Sequence, residues 1–176
     1  MTDLLKLGAI AANAIVDALP DWAAAERLIR RGHRAAYLAG LAERLNVPLD
    51  SALLSEKRLS RAERKEVDRL IDAELKYWKG FESEKADLSQ GQTDARAAMY
   101  GRATRGTYSK ARWADWDLPF HPTQGSECLT NCRCHWTVDD NGDGTGAATW
   151  HLGATERHCT TCPSRASDSP YSVKRQ

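Results

Sequence analysis

All five cysteines of this 176-residue chain lie in its last third, as Cys128-x3-Cys132-x-Cys134 and, beyond a hairpin-length insert, Cys159-x2-Cys162. An odd count suits a disulfide framework poorly, and in a reducing compartment such close clusters are more often metal ligands than disulfides. Two thiol clusters parted by a hairpin describe a zinc ribbon, in which a structural ion takes four ligands in a closed tetrahedron. The spacing favours Cys128, Cys132, Cys159 and Cys162 as ligands of one Zn2+. Cys128 and Cys132 make a turn-shaped pair, whereas Cys132 and Cys134 share a face only on extended backbone. Cys134, His135 and His158 stand in reserve. The competing reading is of plain buried thiols, since cysteine is a good core residue.

Such a site is expected to be structural. A hydrolytic zinc keeps an open position, commonly beside a carboxylate base. The deaminase signature of H-x-E with P-C-x-x-C is missing, because Pro163 follows the Cys159/Cys162 pair and no H-x-E occurs. H-E-x-x-H, a Walker loop and G-x-S-x-G are absent as well. No enzymatic activity and no small-molecule substrate are therefore expected. Asp139-x-Asn141-x-Asp143-Gly144 imitates half of a calcium loop, but Trp150 occupies the twelfth position, where a bidentate Glu would be needed. The expectation there is a turn, joining strands at His135–Val138 and Ala147–Leu152.

Upstream, the chain reads as helix. Apolar residues from Leu4 to Leu19 recur at three-to-four spacing, and the stripe could dock on a partner or pack on its own bundle. Asp21 can cap a second helix through Asn46, stopped by Pro48. Within it, Leu28, Ala35, Ala42 and Arg31, Leu38, Leu45 fall on heptad positions. Ser60-x-x-Glu63 is a capping box opening a long helix with Val67, Leu70, Ile71, Leu75, Trp78 and Phe81 on one stripe. Thr93 starts a last helix that Gly101 and Gly106 weaken. The fold class expected is α-rich, a helical region over 1–112 followed by a small zinc-ribbon-like β-hairpin module over 113–176.

Charge narrows the partners. Lys and Arg number 25 against 24 Asp and Glu, so no global field draws the chain to nucleic acid or membrane. Leu4 to Leu19 is too short and too interrupted for a membrane span, and it lacks a signal peptide's basic lead-in. Retention in a cytoplasm is expected. Locally, Arg96, Arg102, Arg105, Lys110 and Arg112 follow one another without an intervening acid, near Tyr100, Tyr108 and Trp113. Cations interleaved with aromatics can hold phosphates and stack bases; a solvated helix face with its aromatics turned inward is the alternative. Arg27, Arg30, Arg31 and Arg34 form a second patch with the same two readings.

One block is more specific. Leu118-Pro-Phe-His-Pro122, followed by Gly125-Ser-Glu-Cys-Leu-Thr-Asn-Cys-Arg-Cys-His-Trp136, resembles the minor head, or head-morphogenesis, proteins of tailed bacteriophages (the Mu F-like group). Trp150 to Cys162 and Ser169-Pro-Tyr171 are similar to the zinc-binding tails of some of them. The resemblance covers Thr93 to Tyr171, and the earlier helices only in pattern. The chain is short for that group, and Thr123 to Glu127 part the His-Pro element from the cysteine run, so His121 is not placed among the ligands. The resemblance implies a non-enzymatic virion component: a low-copy capsid protein at the portal or in the capsid interior, present in the host cytoplasm during assembly. It implies portal or capsid partners, with DNA as a further one and no membrane. The competing class is a zinc-ribbon nucleic-acid-binding module or regulator.

Overall fold

The computed structural model describes residues 4–49, 59–122, 134–153 and 159–176, the side chains of 4–8 excepted. The chain divides into two compact units, Met1–Arg112 and Trp113–Gln176. The first is helical and the second carries a three-stranded antiparallel sheet. Among the described residues, no helix is long and apolar enough to cross a membrane.

The described residues of the first unit form four α-helices: α1 (Leu4–Ala18), α2 (Trp22–Leu45), α3 (Arg61–Glu84) and α4 (Gln90–Arg112). Their ends follow local chemistry. The Asp21 carboxylate accepts the Ala24 N–H at 2.9 Å and opens α2. At its other end Asn46 turns left-handed, with φ 51°. The Asn46 and Val47 N–H groups then donate to the Glu43 and Ala42 carbonyls, a Schellman closure ahead of Pro48. Ser60 and Glu63 satisfy each other's backbone donors at the start of α3. Ser89 and Gln92 repeat that device, so α4 begins at Gln90 and not at Thr93.

Packing departs from the heptad expectation on α2. Its buried residues are Ala25, Ile29, His33, Ala36, Tyr37 and Ala39 through Ala42, while Leu45 and Ala35 are exposed. A straight helix buries a 3.6-residue stripe, which drifts away from a seven-residue repeat. On α3 the stripe Val67, Ile71, Leu75, Trp78 and Phe81 is buried as its period requires. Trp78 meets Tyr100 edge-on at 4.9 Å, and Trp22 and Phe81 complete the aromatic centre.

The glycines of α2 and α4 mark close helix crossings. A Cβ on Gly40 would lie 2.3 Å from the Tyr108 carbonyl oxygen, and one on Gly101 would lie 2.3 Å from the Ala12 backbone nitrogen. Gly101 and Gly106 are buried, and with Ala97, Ala103, Thr104, Thr107 and Ala111 they let α4 run through the centre of this unit. The same contact decides the role of α1. Ala12 and Ile15 are buried against the unit's own core, so this part of the apolar stripe is packed within the unit, while Ile10 is exposed.

In the second unit, β1 (His135–Asp140) pairs with β2 (Thr145–His151), which pairs with β3 (Tyr171–Lys174), and a short α5 (Thr161–Ser167) precedes β3. Trp136 lies opposite Trp150, and Val138 opposite Ala148, on the covered face of the hairpin. Gly142 and Gly144 take φ near +80° in the connecting turn, a conformation that favours glycine. Beyond β3, Trp116 bridges Arg175 in antiparallel fashion.

Candidate metal centre and charged surfaces

The described cysteines converge on the core of the second unit. Cys134 immediately precedes β1, Cys162 sits in the first turn of α5, and both are buried among Trp116, Trp136, Trp150, Ala148 and Val173. Cys159, half-buried, packs against the same cluster. Phe120 closes it: its ring lies 4.8 Å from Trp136, 5.0 Å from Trp150 and 5.8 Å from Tyr171, with the Arg165 guanidinium 3.8 Å above. The Trp136 indole N–H donates to the Phe120 carbonyl at 2.8 Å, which holds the Pro-Phe-His-Pro segment against the sheet.

Cys128, Cys132 and His158 lie outside the described residues. Among the described residues, no group of three or more His, Cys, Asp or Glu side chains is gathered as a metal site. The donor chemistry nevertheless suits a soft cation. Three sulfurs share an apolar, aromatic surround in which a thiolate would be costly alone and is stabilised by a bound divalent ion. Of the reserves, Cys134 is the one brought into the cluster of Cys159 and Cys162. His135 faces away from that cluster, stacking on His151 across the exposed side of the hairpin at 5.2 Å. The turn between β1 and β2 uses its own carboxylates: Asp140 accepts the Gly142 N–H, and Asp143 accepts the Thr145 N–H and hydroxyl.

The basic run on α4 is engaged. Arg96 pairs with Glu84 at 2.6 Å, Lys110 with Glu66 at 3.7 Å and Arg112 with Glu43 at 2.9 Å. Arg102 and Arg105 are half-buried. Tyr100 and Tyr108 are buried, and desolvation pushes the Tyr100 hydroxyl up to about 12 and Tyr108 further in the same direction. These rings serve the core and are not stacking platforms. On α2, Arg30 pairs with Glu26 at 2.8 Å, and Arg27 and Arg34 lie 4.0 and 3.9 Å from Asp21 and Asp68. Arg31 is exposed.

Two desolvated titratable groups, His33 buried and Glu74 half-buried, were not singled out from the sequence. The His33 Nδ1 lies 2.7 Å from the Thr107 hydroxyl between α2 and α4, and its Nε2 is buried without a hydrogen-bond partner. Burial lowers its pKa to about 4. Burial raises Glu74, on α3, to about 7. A signal existed for the first: His33 interrupts the apolar stripe Ile29, Ala36, Tyr37, Gly40.

Their contributions oppose each other. Neutral His33 favours the folded state above the unfolded value of 6.5, and that stability is lost as pH falls toward 4. Protonated Glu74 favours the folded state below 4.5, and that stability is lost as pH rises through 7. Urea midpoints of the wild-type helical unit should therefore change little between these limits. Glu74→Gln should raise stability at pH 8 by about 2 kcal/mol and expose a positive slope between pH 4.5 and 6.5. A wild-type slope that Glu74→Gln leaves unaltered would refute the opposition.

No protein-family model, curated protein or solved structure matches the chain.

Proposed function

We propose that the chain is a structural component of a tailed-phage head, acting at the portal or inside the capsid, with a C-terminal unit folded around one zinc ion. One observation carries this reading. The residues that make the resemblance are the ones the second unit uses to hold itself together: Phe120, Cys134, Trp136, Trp150, Cys162 and Tyr171 share one cluster. A block devoted to folding a small unit suits a rigid assembly element better than a catalytic one. The unit is small, and such folds commonly depend on a staple beyond their apolar core. Cys159 and Cys162, with Cys134 or the cysteines before it, would hold the ion, whose chemistry is closure of a tetrahedral thiolate site.

The test is composition of the particle. Mass spectrometry of purified phage particles should find this chain at low copy relative to the major capsid protein. A normal cytoplasmic pool with none in the particles would overturn the head reading and favour a regulator.

A further inference from the structure

We propose that the tip of the β1–β2 hairpin is a covalent modification site, where Asn141 deamidates through a cyclic imide, with the Gly142 nitrogen as nucleophile, once the turn opens. The reaction needs only water. The Gly142 nitrogen loses its proton to solvent base and forms a bond to Asn141 Cγ. The Cγ–Nδ2 bond breaks, and the side-chain nitrogen takes up a proton and leaves as ammonia. Water then opens the ring. Attack at Cγ leaves aspartate; attack at the backbone carbonyl leaves isoaspartate, in which the main chain runs through the former side chain.

The residue pair suits this step. Gly142 has no Cβ to crowd its nitrogen during the attack, and its φ of 82° favours glycine. Asn141 and Gly142 are both exposed. The other described asparagines differ: Asn13 lies within α1, where the helix fixes the backbone, and Asn46 precedes the β-branched Val47. Asp143 also precedes a glycine, but hydrogen bonds from the Thr145 hydroxyl and N–H hold its carboxyl below the usual range. It stays ionised, and a carboxylate oxygen leaves far less readily than ammonia.

In the closed turn the two reacting groups are tied to different partners. The Gly142 N–H donates to the Asp140 carboxylate at 2.9 Å, and Arg175 pairs with that carboxylate's other oxygen. The Asn141 amide donates to the Thr145 hydroxyl at 3.0 Å, which itself donates to Asp143 at 2.6 Å. The Asn141 N–H closes the loop on the Thr145 carbonyl at 3.0 Å. A nitrogen whose proton sits on a carboxylate is hard to deprotonate, and an amide pinned across the turn cannot swing its carbon toward it. Modification therefore proceeds through a locally opened minor state. The product is a one-way mark. It adds a carboxylate beside Asp140 and Asp143, and the isoaspartyl form lengthens the turn by a methylene, so the hairpin that opened does not close as before. Nothing in this chemistry depends on a bound ion or on the head-protein reading.

The test incubates the full chain at mildly alkaline pH in water enriched in heavy oxygen, in buffer and in guanidinium chloride, and follows labelling by peptide mass mapping. The peptide holding Asn141 should take up label, as aspartate and isoaspartate, about tenfold faster in denaturant than in buffer, because the open state is then always populated. Thr145→Val removes the hydroxyl that pins the amide. It should speed labelling in buffer severalfold while the near-ultraviolet dichroism of the hairpin tryptophans stays unchanged. Should that variant not fold, the wild-type comparison still decides. The proposal is overturned if Asn141 stays unmodified in denaturant, or if buffer and denaturant give one rate. It fails equally if folded Thr145→Val protein is labelled no faster than wild type, or if the label lies at Asp143 instead.

Discussion

Alanine at Gly40 is expected to destabilise the helical unit by about 3 kcal/mol, whereas alanine at Gly80 should stabilise it by about 0.5–1 kcal/mol. Both glycines are helical, so the change in helix propensity is the same and favours alanine. The difference lies in what the new methyl group meets. At Gly40 it would sit 2.3 Å from the Tyr108 oxygen, 2.9 Å from Ala111 Cβ and 3.0 Å from the Arg112 nitrogen; at Gly80 nothing lies within 4 Å. Backbone atoms of α4 cannot rotate aside as a side chain can. The helices must part, and the packing of Ala36 and Ala39 on Tyr108 is lost with them. Gly101→Ala should behave like Gly40→Ala, because its methyl group would strike the backbone of α1. Against a total of about 5–15 kcal/mol for a domain, valine at either position should leave the unit unfolded at ambient temperature. Urea titration followed by helical circular dichroism decides it. Equal responses at Gly40 and Gly80 would mean that α2 and α4 do not cross closely.

The largest effect is expected at the cysteines. Cys162→Ser should release the ion and melt the second unit while the helices of residues 1–112 persist. Two magnitudes separate the metal from a plain thiol. Ligation of structural zinc supplies on the order of 10 kcal/mol or more. Placing a serine hydroxyl in an apolar core costs only about 1–3 kcal/mol. Partial softening would therefore mark a core thiol, and complete loss of the second unit's share of the tryptophan near-ultraviolet signal, with that of Trp22 and Trp78 retained, a ligand. Cys134→Ser tells the two ligand sets apart: damage equal to that of Cys162→Ser would place Cys134 among the ligands, and partial softening would leave it a buried core thiol beside a site closed by Cys128 and Cys132. Elemental analysis should find one zinc per chain. Protein without zinc that keeps its fold in excess chelator would overturn the proposal.

Local devices were legible in the sequence and long-range ones were not. Asp21, Asn46 and the Ser60–Glu63 box act within a few residues of themselves, and the helix ends follow from them. Ser89-x-x-Gln92 has the same grammar, and Thr93 lies inside the helix it opens, with its N–H and its hydroxyl both donating to the Ser89 carbonyl. Gly101 and Gly106 read as weak points because propensity is counted along one helix, whereas their use depends on a second helix arriving. The strand β3 is four residues long and pairs with a strand far from it in sequence, so no local period announces it. The short α5 was not read from the sequence; its Pro163 occupies the first turn, where a missing N–H removes no helical bond. For the site, the cysteine pattern was plain and the choice among five was not, because the burial of Cys134 follows only once the sheet exists. The α4 cations looked available since their acids, Glu43, Glu66 and Glu84, come from elsewhere in the chain.

The second unit begins and ends side by side. The Asp117 N–H donates to the Lys174 carbonyl at 3.0 Å, and the Gln176 N–H donates to the Asp115 carbonyl at 2.7 Å. Incoming and outgoing backbone are thus neighbouring strands, about 5 Å apart. A polypeptide with that geometry is a cassette: it can be spliced between two adjacent residues of a host loop without prising the loop open. It can equally be sealed by a short linker and reopened at the Asn141–Gly144 tip, where the φ values of the two glycines already make a reversal. Whatever the unit attaches to, pulling on its two ends loads one pair of backbone hydrogen bonds first, so force would unzip it from the seam inward.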